Sequence, residues 1–478
     1  MREKIHYYKN TVLFCFVVIL LFFLAGCAND TTNDSNANTV GQQTEAMAQE
    51  LPVAEKNHAA LLLHYGIELP VSRTKIYVNQ AGYKASGSKM VLFCGDMEGK
   101  TFRVVRKSDR KTVYTGVISP METDAMSGAS LCFGDFTQVM DQGNYYIEAD
   151  VVGQSYPFSI AEDAYETFFI GLMRNASDAQ FAQTAKGVCD VSLGMHILMY
   201  SIQRNGTLYE EAYKYISAEN AEKNLIVQLL YMIDWLMEQQ GSDGSLYGDY
   251  EATAAFCGIT AMSREFFGSN ETIVSKELLD AAKQAWSWLR EQSCESKEYK
   301  AARFYAAVQL SKTDNAEEYQ TIVNSFLERR LEDYTENRFI FYGILAYLSA
   351  EKNTDRDLCT YIMMCLVDKT EQICIGAADD AWFGTGARTI EDSLLNILLL
   401  GFINDVTPSK EYTQIIENTI QYIGGQNDTG NCYVNAEGIW LAAENTQGRN
   451  LEWNGILLFG VSNMLMNLSN STAVGTAQ

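Results

Sequence analysis

Two carboxyl groups a few ångström apart, one giving a proton while the other takes one, are the side chains best suited to general acid/base hydrolysis. The sequence offers Asp249 with Glu251, Asp379 and Asp380 beside Trp382, Glu391 with Asp392, and Glu444 with Glu452. In a chain with 60 acidic residues, solvated faces and helix N-terminal charges account for most pairs of this kind. Aromatic rings form the second group. Trp382, Trp440, Tyr247 and Tyr250 stand near Asp, Glu or Gly at predicted helix ends. A flat ring there can pack on the C–H face of a sugar while polar neighbours bond its hydroxyls, or simply join the core. Trp235, Trp286, Trp288 and Trp453 fall on helical stripes and read as core. The four histidines are His6, His58, His64 and His196, and His196, between Met195 and Ile197, reads as a core residue. With no C-x-x-C and no Cys/His cluster, the sequence predicts neither a metal site nor a cofactor.

These groups belong to an acidic chain of 478 residues, with 36 Lys+Arg against 60 Asp+Glu and a formal net charge of −24. No basic stripe interrupts the acidic field, which excludes a nucleic-acid binder. With 47% hydrophobic residues and five prolines, the composition fits a large core and a mostly helical body, and it excludes wholesale disorder.

The N-terminus predicts the compartment. Arg2, Lys4 and Lys9 precede an apolar run from Val12 to Ala25, which has the length of a signal h-region. The run ends in Leu24-Ala25-Gly26-Cys27. This resembles the bacterial lipoprotein signal, which implies cleavage of residues 1–26, diacylglycerol on Cys27, and a body held to the outer face of the cell membrane. The mature charge would be −26, since Arg2, Glu3, Lys4 and Lys9 leave with the signal. Residues 27–73 begin as a polar, low-complexity tether. Nine cysteines follow, an odd number for an exported protein, and Cys189, Cys257, Cys359, Cys365 and Cys374 lie in apolar helical stretches. They are expected to be buried free thiols, as suits a reducing habitat.

Two kinds of element must position the candidate residues. From 74 to 160 short alternating segments dominate: in NYYIEADV, Tyr145, Ile147, Ala149 and Val151 face one way, and Tyr146, Glu148 and Asp150 the other. Several such strands imply a β-sandwich. From 161 to 470 the period is helical. Val274, Leu278, Ala282, Ala285 and Leu289 make one stripe, and Leu225 to Met237, apolar nearly all round, is expected to be an inner helix. Roughly a dozen short helices in even number suit a toroid of helical hairpins.

The motifs carry a resemblance. Val78-Asn79-Gln80-Ala81-Gly82-Tyr83 with Lys89, Phe102-Arg103-Val104, Asp135-Phe136, Gly143-Asn144-Tyr145 and Ser155 to Ile160 resemble the immunoglobulin-like module of many family 9 glycoside hydrolases, the cellulase type. Asp190-Val191-Ser192, Ala252 to Phe256, Tyr422 to Asn427 and Glu452 to Gly455 are similar, in order, to segments of the same family's catalytic domain. The resemblance implies a multidomain β + α protein: an N-terminal Ig-like β-sandwich followed by an (α/α)6-barrel-like helical toroid. It also implies inverting hydrolysis of O-glycosyl bonds in a β-glucan-like polysaccharide.

The chain departs from the family where that chemistry is expected. Asp190-Val191-Ser192 runs straight into Leu193 to Tyr200, without the D-A-G-D loop that supplies the base. The position of the acid, six residues before Asn454, is Gly448. No histidine follows Tyr422, so the family's sugar-gripping His/Arg loop is missing. No catalytic residue carries over, and Glu444, four residues upstream of the vacant acid position, is the best rescue candidate. The expectation is a cell-surface lipoprotein that binds polysaccharide with lost or weak hydrolysis. Its alternatives are an active hydrolase with relocated carboxylates and a structural or protein-interaction lipoprotein.

Overall fold

In a computed structural model of the chain, the structure describes residues 74–475 apart from 124–127, 129, 151, 177–180, 220–224, 269–272, 315, 380–382, 388, 437 and 440–448. The signal segment, Cys27 and the tether lie outside the described residues, as do Asp380, Trp382, Trp440 and Glu444.

Strands β1 (Ile76–Tyr77), β3 (Met90–Cys94), β6 (Glu122–Thr123) and β7 (Ser130–Asp135) form one sheet in the order β1-β3-β7-β6. Strands β2 (Tyr83–Lys84), β4 (Thr101–Arg106), β5 (Thr112–Val117), β8 (Gly143–Ala149) and β10 (Phe158–Ala161) form the second in the order β2-β10-β8-β4-β5, with β9 (Gly153–Gln154) on β8. The alternation in β8 is as expected: Tyr145, Ile147 and Ala149 are buried, while Tyr146 and Glu148 are partly exposed. Phe102 fills the space between the sheets because Gly116 and Gly134 leave room for its ring, which a Cβ at either position would approach to 2.4 Å. Lys89 is fully buried, and its Nζ donates to the carbonyls of Ala85 and Gly87, both at 2.7 Å. Burial lowers its pKa, and Asp135 and Glu162 oppose that effect.

Twelve described helices follow: α1 (Ala164–Ala176), α2 (Ala185–Glu219), α3 (Leu225–Glu238), α4 (Tyr250–Phe267), α5 (Ile273–Glu291), α6 (Lys297–Thr313), α7 (Glu317–Leu327), α8 (Arg338–Leu348), α9 (Arg356–Asp379), α10 (Ile390–Val406), α11 (Lys410–Ile423) and α12 (Arg449–Gly475). The even-numbered helices form the inner ring of an (α/α)6 barrel. Helices α2, α4, α6 and α8 pack in sequence, and α12 packs against both α10 and α2. Close approach depends on glycine. A Cβ on Gly258 of α4 would lie 2.2 Å from the Tyr305 ring of α6, one on Gly343 of α8 2.6 Å from Phe304, and one on Gly460 of α12 2.3 Å from Ile397 of α10.

Two expectations are corrected here. Leu225–Met237 is not an inner helix: α3 buries one stripe, Leu225, Leu229, Met232, Ile233 and Leu236, while Tyr231 is half exposed. Apolar composition permits an inner position, but the availability of packing partners decides it. None of the nine described cysteines is disulfide-bonded, and Cys189 and Cys257 are buried as expected, but Cys359, Cys365 and Cys374 are only partly buried. Those three lie on α9, an outer helix with one face toward the barrel.

Both modules belong to one compact unit. The Gln80 N–H donates to the Gly424 carbonyl at 2.7 Å, the Tyr83 hydroxyl lies 3.1 Å from Gln426 Oε1, and Tyr77, Leu92 and Leu131 pack on Phe383 and Tyr422. The 78–83 and 422–427 motifs are therefore two sides of one contact. Gly424 is required at its centre, where a Cβ would lie 2.0 Å from Asn79 Oδ1.

Candidate active site

The first turns of the inner helices bring charged residues to one mouth of the barrel. Several are fixed by capping: Asp249 accepts from the Ala252 N–H at the start of α4, and Asn337 accepts from the Phe339 N–H at the start of α8. Asp249 is thus a helix cap, and its neighbour Glu251 faces the mouth's charges. Arg338, the first residue of α8, sits between two acids. Its Nη1 donates to Asp190 Oδ1 of α2 at 3.1 Å and to Glu452 Oε2 of α12 at 2.9 Å, while Nη2 donates to Cys189 Sγ at 3.3 Å. Lys186 Nζ takes the other Asp190 oxygen at 3.1 Å, and the Tyr342 hydroxyl donates to Glu452 Oε1.

Exposure runs opposite to what a ready acid/base pair needs. The Asp190 and Glu452 side chains are 0% and 8% exposed, whereas Arg338 is 34% and Lys186 58% exposed. An approaching ligand therefore meets the cations first. Since both carboxylates accept from one nitrogen, their bonded oxygens are no farther apart than the two bonds laid end to end, about 6 Å. Inverting hydrolysis needs room for a water between two carboxyl groups, and here a guanidinium nitrogen lies between the bonded oxygens. Burial alone would lower the Arg338 pKa, but Glu452 and Asp190 outweigh it and leave it raised. Glu251 is half-buried, and burial raises its pKa; Arg338 opposes this, and Asp249 and Glu298 add to it.

Below the mouth, His196 is buried, with Nδ1 3.0 Å from the Tyr305 hydroxyl and 3.3 Å from Gln309 Nε2, and its ring stacks on Tyr342. Burial pushes its pKa down to about 3, so it is a neutral core residue. Tyr247 lies in the turn before α4, half exposed at φ 56°, with its hydroxyl donating to Gln239 Oε1 at 2.8 Å. Tyr250 packs edge-on against Tyr299. Glu391 and Asp392 are exposed in the first turn of α10, and Asp379 is exposed at the end of α9. Of the acids named from the sequence, the structure brings Glu251 and Glu452 to the mouth, where Glu452 meets Asp190. Sequence reasoning missed Arg338. Its signal was a lone cation heading the otherwise apolar helix Phe339 to Leu348, directly after the capping Asn337. Among the described residues, no group of three or more His, Cys, Asp and Glu side chains is placed to hold a metal ion.

At the opposite end, Asp405 in the last turn of α10 accepts from Asn463 Nδ2 of α12 at 2.6 Å and lies 3.7 Å from Arg204 Nε of α2. Burial raises its pKa to about 6, with Arg204 and Asn463 working the other way. Because the folded value exceeds the ordinary 3.8, its stabilising contribution is complete below about pH 4 and is lost as pH rises through about 6. At ~1.4 kcal/mol per pH unit this amounts to roughly 3 kcal/mol. Thermal melts between pH 8 and pH 4 are expected to show this gain on acidification in the native chain and its loss in Asp405→Asn.

Comparison with known proteins follows the same division. Residues 72–154 match the cellulase N-terminal ig-like domain, and residues 248–439 match glycosyl hydrolase family 9. Endoglucanase D of Acetivibrio thermocellus is 21% identical over 462 residues, covering 77% of this chain and 73% of that protein. Cellodextrinase of Butyrivibrio fibrisolvens is 33% identical over 93 residues, 19% of this chain and 16% of that protein. Among solved structures, a metagenome-derived family 9 endoglucanase superposes with TM-score 0.64 at 15% identity, over 82% of this chain and 99% of its own. A Bacteroides ovatus family 9 protein superposes with TM-score 0.61 at 15% identity, over 82% and 98%. The chain is family 9 glycoside hydrolase-like, with an Ig-like cellulase module leading into the barrel.

Proposed function

We propose that the chain is a cell-surface lipoprotein, anchored through Cys27, that binds a β-glucan at the barrel mouth with little or no hydrolysis. The substrate class comes from the endoglucanases it resembles. The observation that carries the weak-hydrolysis reading is the Asp190–Arg338–Glu452 bridge: both carboxylates accept from one guanidinium nitrogen, which stands where a catalytic pair would need room for a water. Tyr247, half exposed in the turn that leads into α4, offers a ring surface for a sugar. Trp382 and Trp440 are the further aromatic candidates, and Glu444 the rescue acid. A second reading, residual hydrolysis, is favoured by Glu251, a half-buried acid with a raised pKa, the property of a proton donor.

Affinity electrophoresis of the purified chain in gels containing barley β-glucan is expected to show retardation, reduced in Tyr247→Ala. Reducing-end release from barley β-glucan or carboxymethylcellulose is expected to stay at background. Steady release abolished by Glu251→Gln or Glu444→Gln would establish the second reading instead, and absence of retardation would favour a structural or protein-interaction role.

A further inference from the structure

We propose that Arg338 is a specificity-determining residue that fills, from within the chain, the cation site between Asp190 and Glu452, so that the mouth does not select positively charged sugar mimics over neutral sugars. This rests on the β-glucan reading of the mouth. Glycoside cleavage passes through an oxocarbenium-like state, and a glycosidase site places carboxylates where that positive charge develops. Here the space between the two carboxylates holds a guanidinium, bonded at 3.1 and 2.9 Å. Lys186 pairs with the remaining Asp190 oxygen, and Tyr342 takes the remaining Glu452 oxygen. Two acids and two cations cancel, which leaves Glu251 as the other acid among those facing Arg338. Asp190 and Glu452 thus offer a cationic ligand no unspent charge, and the ligand's own charge meets the outermost groups of the cluster, Arg338 and Lys186.

The test has a sugar arm and a cation arm. By calorimetry, the native chain is expected to bind a basic cellobiose-like piperidine iminosugar no more tightly than cellotetraose. Arg338→Gln should gain at least about tenfold for the iminosugar with no gain for cellotetraose, because two buried carboxylates then lack their cation. A native chain that prefers the iminosugar by about tenfold or more would overturn the proposal. The cation arm does not depend on sugar: millimolar ethylguanidinium is expected to raise the melting temperature of Arg338→Ala, or to restore its folding should it be unfolded, while tetramethylammonium, which has no N–H to donate, does neither. No such selective rescue would also overturn the proposal. Rescue by ethylguanidinium in a chain that binds neither sugar would support the cation site and refute the β-glucan reading.

Discussion

Arg338→Ala is expected to destabilise the folded chain by about 3–5 kcal/mol, the largest single effect among the substitutions considered. The magnitude follows from what the guanidinium leaves behind rather than from what it contributes. Asp190 is fully buried and Glu452 nearly so, and each loses the donor at 3.1 or 2.9 Å. Lys186, itself largely exposed, keeps one Asp190 oxygen, and Tyr342 keeps one Glu452 oxygen, so the loss falls short of two fully isolated charges. Urea denaturation at pH 7 measures the cost, and a double-mutant cycle with Glu452→Gln apportions it. Once the second charge is removed, Arg338→Ala should cost appreciably less, giving a coupling of about 1–3 kcal/mol. Strict additivity would mean that the bridge contributes nothing to the fold.

The second large effect lies in the Ig-like module. Lys89→Met is expected to cost about 2–4 kcal/mol, because a thioether side chain of similar length fills the space but donates nothing. The Ala85 and Gly87 carbonyls, each bonded at 2.7 Å, would then be left near the core without a donor. Relief from burying an ammonium offsets part of that loss, which keeps the expected value below the sum of two orphaned acceptors. Since the 78–83 motif contacts the 424–426 turn, the weakened module should also loosen the Gln80–Gly424 contact. Hydrogen exchange at the Gln80 amide would report this, and unchanged protection there would show that the defect stays within the sandwich.

Periodicity and local chemistry made much of the architecture legible. The alternation in β8 depends only on the two-residue repeat of a strand, and the α5 stripe of Leu278, Ala282, Ala285 and Leu289 only on the helical repeat. Both are settled within one element. The apolar content of Leu225–Met237 is local, whereas its outer position depends on which surfaces the other helices leave uncovered. The same limit applies to the partly buried thiols of α9.

At the level of residues, the chain contains no D-A-G-D string, carries Gly at position 448 and has no histidine after Tyr422. Those facts do not reveal which charges the fold gathers at the mouth. Asp190 and Arg338 are 148 residues apart, and Arg338 and Glu452 114 apart, and nothing along the chain links their charges. Only the packing of α2, α4, α6 and α8 in succession, with α12 against α2, brings the starts of α2, α8 and α12 together. At that distance and burial, charge pairing decides whether a carboxylate can act as acid or base.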